Sequence, residues 1–250
     1  MSITKVGRFN IHASEEGFFN SLKKHLTHGE SCEYFTCMNP HSYAVSVKDD
    51  EFYDAVKASK WIVPDGVGLI IASFFNKIRI QHRITGMDVF EFLIKFCNEQ
   101  NKSIFLLGSS QETLDNMVIK FSKDFPSLKV AGTYSPPFKD KFSDLDNIKM
   151  VEKVNKSSAD IVFVSMTAPK QEKWIFKNKE VLKPILLCPI GAVFDFYVGN
   201  IKRPHKVFRN FGLEWLGRFI QEPKRLLKRI TVSPIIFLFD IIKEKIGFKK

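Results

Sequence analysis

Short apolar runs recur along the chain, separated by stretches long enough for helices. The runs are Tyr34-Phe35-Thr36-Cys37-Met38, Trp61-Ile62-Val63, Ser103 to Leu107, Leu128 to Gly132, Ile161 to Val164 and Pro184 to Cys188. Each has strand length, and the intervening segments predict helices over Ile11 to Leu26, Tyr43 to Ser59, Met87 to Glu99 and Glu112 to Phe125. Such alternation predicts an α/β fold with a Rossmann-like parallel sheet and flanking helices. Ile161 to Phe196 is the clearest instance, read as strand, polar loop, helix, strand and polar loop.

Ligands of parallel sheets sit at the carboxyl ends of the strands. Gln171, Glu172 and Asp195 are therefore expected near one rim, although Lys170-Gln171-Glu172 also reads as a polar first helical turn. Asn39 stands at a strand end, where Pro40 excludes it from helical geometry; it is a turn former or a site residue. Asp65 follows a short strand and precedes Gly66 and Gly68. It either caps the helix beginning near Val67 or holds a carboxylate beside a substrate. Arg83 precedes a glycine turn and can hold a phosphate or pair with Asp88, while Thr85 or Asp88 caps the next helix. Gly108-Ser109-Ser110 offers backbone N–H groups at a helix start. Tyr134, in a proline-rich loop, either stacks on a base or sugar or closes the core. Asp144 and Asp146 lie in a charged stretch leading into a helix; they read as capping residues, and no metal is assigned.

Composition narrows the partners. The chain has 250 residues, 44% of them apolar, enough for one large core or for a core with an appendage. No apolar run of spanning length and no secretion signal is recognised. Cys32, Cys37, Cys97 and Cys188 are scattered and read as reduced thiols. The net charge of +11 is uneven: residues 1–199 carry 25 Lys/Arg and 23 Asp/Glu, residues 200–250 carry 13 and 4. This divides the chain into a core, 1–199, and a basic helical appendage, 200–250.

Within the appendage, Arg218, Arg225 and Arg229 are spaced to share one side of a continuous helix, and Lys224 and Lys228 widen that surface. Pro223 can start a second helix. Pro234 to Lys250 is amphipathic, with Ile235, Leu238, Phe239, Ile242 and Ile246 at helical spacing. It either lies in an anionic membrane interface or docks on the core. A nucleic-acid reader lacks a recognition motif or zinc spacing here. A dinucleotide-dependent oxidoreductase lacks its glycine fingerprint. A non-enzymatic basic membrane-binding protein is a further alternative.

Several motifs together resemble the bacterial WecG/TagA/CpsF glycosyltransferases, which include the UDP-N-acetylmannosamine transferases of teichoic acid synthesis and relatives in capsule and exopolysaccharide synthesis. The resemblance covers Thr36 to Arg229. It rests on Asn39-Pro40, Pro64-Asp65-Gly66-Val67-Gly68, Arg83 to Asp88, Leu107-Gly108-Ser109, Gly132-Thr133-Tyr134, Pro169 to Trp174, Gly191 to Phe196, Arg203-Pro204, Gly212 to Trp215, Arg218 and Glu222 to Arg225. It implies an inverting transferase moving a sugar from a UDP-sugar to a polyprenyl-diphosphate-linked saccharide, with no cofactor and no nucleic-acid partner. It implies a peripheral enzyme on the cytoplasmic face of the bacterial inner membrane.

The resemblance puts the general base on Asp65 and uridine-nucleotide contacts around Tyr134, Gln171 and Asp195; Asn39 and Arg83 are further catalytic candidates, and Glu172 is a further substrate-binding one. Phosphate-binding cations fall on Arg218, Arg225 and a neighbour, Lys228 or Arg229. Two departures stand out. Cys37-Met38-Asn39 replaces the Thr-x-Asn of many relatives, which leaves Cys37, or Thr36 through a shift, as the substrate contact. The Thr133 to Phe138 loop differs from the His/Gly-rich loop of many relatives.

Overall fold

The computed structural model describes residues 2–74, 76–202, 219 and 223–246. A two-stranded hairpin opens the chain, β1 Ile3–Val6 and β2 Phe9–His12, turning at Gly7-Arg8 with Gly7 at φ 58°. The strands that follow are β3 Glu33–Met38, β4 Trp61–Pro64, β5 Ser103–Gly108, β6 Lys129–Tyr134, β7 Ile161–Ser165 and β8 Leu186–Pro189. They form one sheet in the order β4-β3-β8-β7-β5-β6, with every pairing parallel. Burial on both faces explains why β4, β5, β7 and β8 read as nearly continuous apolar runs, β7 being buried at all five positions, whereas edge strand β6 has no buried residue. The Rossmann-like reading therefore holds.

Ten helices are described: α1 Glu15–His28, α2 Pro40–Ser46, α3 Asp50–Lys57, α4 Val67–Ser73, α5 Gly86–Gln100, α6 Gln111–Asp124, α7 Asp144–Ser157, α8 Lys170–Asn178, α9 Val193–Val198 and α10 Pro223–Lys245. One core layer packs α1, α5, α6 and α9 against Phe35, Val63, Leu106 and Phe163. The alternate side chains, Tyr34, Leu107, Val162 and Leu187, face α7 and α8 on the other side of the sheet. A third cluster joins the hairpin, α2, α3, α4 and α10. The hairpin lies beside edge strand β4, where His12 Nδ1 stands 3.3 Å from Ile62 O. Burial lowers the His12 pKa, which favours a neutral ring donating to that carbonyl.

Several boundaries differ from the sequence expectation, each for a local reason. Ile11 belongs to β2, and the first helix begins only after Ser14, whose side chain accepts from Gly17 N. The expected helix over Tyr43 to Ser59 is two helices, because Asp49 caps α3 by accepting from Phe52 N. Gly191 to Phe196, expected as loop, starts α9 at Val193. The helix from Pro223 continues through Pro234 to Lys245. An interior proline costs about 3 kcal/mol. Leu226 and Phe237, buried on either side of Pro234, supply packing that offsets this cost. Of the expected tail helix over 211–230, the segments 211–218 and 220–222 lie outside the described residues.

Candidate functional site

All six parallel strands end on one rim, and backbone bonds knit the loops at its β3–β4 edge. Asp65 N donates to Met38 O at 2.7 Å, and Ile84 N donates to Pro64 O at 2.7 Å. Asn39, Asp65 and Arg83 are thereby brought to one place. Asn39 caps α2: its Oδ1 accepts from His41 N at 3.0 Å and Ser42 N at 2.9 Å. Helix α4 begins at Val67, and its N-cap, Gly66, brings no side chain to cap it. Gly66 adopts φ 132°, and a Cβ there would stand 3.6 Å from Asn39 Cβ. A side-chain-bearing residue would be strained at that φ, so glycine is what the turn after Asp65 requires. Asp88 closes a capping box with Thr85, its Oδ2 accepting from Thr85 N and Oγ1, each at 2.7 Å.

Helix α10 brings charge to the same edge. His41 Nδ1 lies 2.9 Å from Ser233 Oγ. Burial, reinforced by the positive charge of Arg229, pushes the His41 pKa down to about 4. Arg229 thus acts electrostatically on the first turn of α2, next to Asn39. Arg218 lies outside the described residues, as do the side chains of Arg225 and Lys228, whose backbone is in α10.

Cys37 and Thr36 differ in access. Cys37 is half-buried, and burial, followed by the nearby Asp65 carboxylate, pushes its thiol well above the usual range. Thr36 is fully buried within β3, and its Oγ1 has no hydrogen-bond partner among the described residues.

The middle of the rim is built around Gln171. Its Oε1 accepts from Met166 N at 3.3 Å and from Gly191 N at 3.0 Å, joining the loops after β7 and β8. Its Nε2 donates to Glu172 Oε1 at 2.8 Å. Both side chains are buried, so their polar atoms shape the rim from beneath. Burial raises the Glu172 pKa to about 7, against the lowering effect of the Gln171 hydrogen bond. Ser165 Oγ adds a bond to Gly191 O at 2.6 Å.

Next to it, Gly108 stands at φ 110°, and a Cβ there would collide with the Ser165 carbonyl. Ser109 N donates to Ser165 O at 3.0 Å, and Ser110 caps α6. Asp195 reaches this loop through Asn200, whose Nδ2 donates to Asp195 Oδ1 at 3.3 Å and Thr113 Oγ1 at 3.0 Å. Tyr134 ends β6, with Lys149 Nζ 5.8 Å from its ring centre. Because β4 and β6 are opposite edges, five strand spacings of about 4.8 Å separate Asp65 from Tyr134 by roughly 24 Å.

The predicted residues therefore fall into two groups on one rim. Asn39, Asp65 and Arg83 form one with Arg229; Gln171, Glu172 and Asp195 belong to the other, with Tyr134 at its far edge. Ser165, Thr113, Asn200 and His41 were not anticipated. Only Ser165, directly after an apolar run, carried a positional signal. Asp146 is engaged as a capping residue, its Oδ2 accepting from Ser143 and from Lys139 Nζ at 2.8 Å. Among the described residues no cluster of three His, Cys, Asp or Glu is placed to hold a metal ion.

Comparison with known proteins identifies the family. The chain is 28% identical to an N-acetylglucosaminyldiphosphoundecaprenol N-acetyl-beta-D-mannosaminyltransferase of Bacillus subtilis strain 168, over 94% of this chain and 89% of that protein. It is 26% identical to the enzyme of that name from Bacillus spizizenii strain W23, over 81% and 77% of the two chains. It is 25% identical to the one from Staphylococcus aureus strain MW2, over 87% and 82%. The model of the glycosyl transferase WecG/TagA/CpsF family matches residues 4–250, so the chain belongs to that family and is a glycosyltransferase.

Proposed function

We propose that the protein transfers a hexose or N-acetylhexosamine-type sugar, with inversion, from a UDP-sugar to a saccharide carried on a polyprenyl diphosphate. The product feeds a cell-surface polysaccharide such as teichoic acid, capsule or exopolysaccharide. The relatives' acceptor, a diphosphoundecaprenol-linked N-acetylglucosamine, and their β-mannosaminyl product support the acceptor class and the inversion. The observation that carries the reading is the junction of Asn39, Asp65 and Arg83 at the ends of β3 and β4, in a chain matched over 4–250 by a glycosyltransferase family.

Asp65 is the general base. Its carboxylate takes the acceptor hydroxyl proton as that oxygen attacks the anomeric carbon. The new carbon–oxygen bond forms opposite the bond to UDP, which breaks with its electron pair leaving on the β-phosphate. One base suffices for this displacement, whereas the departing diphosphate needs cations. Arg83 and Arg229 supply them, completed by Arg218, Arg225 and Lys228. Asn39 fixes the start of α2 beside the base, and Cys37 flanks the substrate. The uridine nucleotide lies toward Asp195 and Tyr134. Gln171, Glu172 and Thr36, being buried, act on it through the loops and strand they hold.

Residues 200–250 complete the site and hold the enzyme peripherally on the cytoplasmic face of the membrane. No described helix is long and apolar enough to cross a membrane.

The test is direct transfer. A panel of UDP-sugars, including UDP-N-acetylmannosamine, is incubated with N-acetylglucosaminyl diphosphoundecaprenol or a short-chain analogue. UDP release and product mass are read, and the new linkage is assigned by NMR. One donor giving a β-linked product is expected. Absence of transfer from every UDP-sugar tested, with a folded protein, overturns the proposal.

A further inference from the structure

We propose that residues 71–74 and 76–79, the end of α4 and the loop after it, form a second lipid-contacting element that inserts beside the outer face of α10 into an anionic bilayer surface. This rests on the peripheral-membrane reading above and adds a contact from within the catalytic core.

Helix α4 buries Leu69, Ala72 and Ser73, while Ile71 is 52% and Phe74 51% exposed, and Ile78 in the loop is 44% exposed. Gly68 packs where α2 and α10 meet: a Cβ there would stand 2.6 Å from Pro40 Cγ and 3.8 Å from Phe237 Cε1. With 3.6 residues per turn, Ile71 lies only about 60° around the helix from Gly68, and Phe74 about 60° further. On α10, Phe237 and Ile241 are buried against the core. Ile235, Leu238, Phe239, Ile242 and Ile246 are exposed, within an arc of about 100° on the opposite side.

The far ends of the two elements are tied together. Lys245 Nζ donates to Asn76 Oδ1 at 2.7 Å, and Asn76 Nδ2 donates to Lys5 O at 2.7 Å. The loop after α4 and the last turn of α10, which carry the exposed Ile78 and Ile242, therefore adjoin.

Charge selects the occupant. From Gly66 to Met87 the sequence has no acidic residue but contains Lys77, Arg79 and Arg83. The Arg79 guanidinium lies 5.7 Å from the centre of the Phe74 ring. Asp240 and Glu244 of α10 are engaged by Arg8 and Lys5 of the hairpin. Apolar side chains flanked by cations suit the headgroup–acyl boundary of anionic lipid. A second copy of this face would bring its lysines and arginines against the same charges.

The position fits the chemistry. Helix α4 begins two residues after Asp65 and has seven residues, about 10 Å of helix. One headgroup layer is about 5–8 Å thick. A lipid contact at Phe74 and Ile78 holds Asp65 near headgroup level, where the diphosphate of a lipid-linked acceptor lies.

The experiment places a tryptophan at each element in the full chain, Phe74→Trp or Leu238→Trp. Quenching by brominated lipids is read in phosphatidylglycerol/phosphatidylcholine vesicles, with the parent chain's quenching subtracted. Both tryptophans are expected to be quenched. Phe74→Ser with Ile78→Ser is expected to lower vesicle partition about tenfold or more, with melting unchanged. Quenching at Leu238→Trp but not at Phe74→Trp overturns this inference and leaves the α10 anchor standing. Quenching at neither overturns the peripheral-membrane reading and this inference with it. A lipid-free, concentration-dependent blue shift of Phe74→Trp, with dimers in sedimentation and no quenching, assigns the face to a second copy and also overturns it.

Discussion

Tyr43 Oη donates to Asp240 Oδ2 at 2.6 Å, binding α2 to α10 across 197 residues of sequence. Arg8 joins the pair: its Nε donates to the same oxygen at 3.1 Å, and its backbone N donates to Tyr43 Oη at 3.2 Å. Gly7 makes room, since a Cβ there would collide with the Tyr43 ring. Hydrogen bonds to charged groups contribute about 1.5–3 kcal/mol. Tyr43→Phe is therefore expected to cost about that much in urea denaturation. A loss too small to measure would show that the Tyr43–Asp240 bond does not hold α10.

The proposed base predicts a separation of chemistry from binding. Asp65→Asn keeps the size of the side chain and removes its basicity. Turnover at saturating substrates is expected to fall about 10²–10⁴-fold, with UDP affinity and melting retained. Near-normal turnover by a pure sample would remove Asp65 from that role.

Much of this was legible because the parallel sheet writes itself as apolar runs. The strand positions and the loops after them follow from burial on both faces, and Asn39, Asp65 and Gln171 were found at strand ends for that reason. The hairpin was missed because four-residue strands next to a helix lack a distinctive period. The break at Asp49 was missed because it depends on one capping carboxylate. What Gln171 does was not legible: bridging Met166 N and Gly191 N is a property of two loops distant in sequence. In the sequence, docking of the last amphipathic segment on the core and contact with a membrane read as alternatives. The structure shows a helix with a buried apolar face and an exposed one.

Gln171 and Asp195 should accordingly respond differently. Gln171→Ala strands the N–H groups of Met166 and Gly191, and each unsatisfied buried group costs about 1–3 kcal/mol. Stability and UDP affinity are expected to fall together. Asp195→Ala, on a partly exposed carboxylate, is expected to weaken UDP binding with little change in melting. Calorimetry and thermal denaturation on the same samples decide it; unchanged UDP affinity in both variants would remove them from the donor site.

Glu172 predicts a pH dependence of stability. Its pKa is about 7 in the folded protein against an ordinary 4.5. Between those values the folded state keeps a proton that the unfolded state has released. Stability is then full below 4.5 and falls as pH rises toward 7. Glu172→Gln keeps an acceptor for Gln171 Nε2 and should remove this fall. His41 acts in the opposite sense: with its pKa lowered from 6.5 to about 4, its contribution is full above 6.5 and is lost as pH drops toward 4. The difference between urea denaturation of wild type and of Glu172→Gln across this range isolates the Glu172 contribution from that of the histidines. Parallel profiles would exclude the Glu172 contribution.

The two faces of α10 should be separable by substitution. Truncating the chain after Thr231 would remove Phe237 and Ile241 from the core cluster they share with Val6, Tyr43 and Leu69, so lost vesicle binding in a truncation would have two explanations. Point changes keep the causes apart. On the inner face, Phe237→Ala empties a fully buried site next to Tyr43, whose ring centre is 5.1 Å away, and should cost about 3–5 kcal/mol. On the outer face, Phe239 and Ile242 are 68% and 54% exposed, so Phe239→Ser with Ile242→Ser should change stability by no more than about 0.5 kcal/mol per substitution. The outer pair should nevertheless lose most binding to phosphatidylglycerol vesicles. Attraction of about 1 kcal/mol per cation near the surface weakens with salt, whereas the apolar contribution persists. Wild type should therefore keep a salt-resistant fraction of binding that the outer-face variant lacks. Transfer to a short, water-soluble acceptor should survive in that variant, because the inner face still brings Arg229 to His41. Co-sedimentation over a salt series, with UDP release measured on the same protein, tests each step. Undiminished salt-resistant binding by the outer-face variant would show that the stripe is not the anchor.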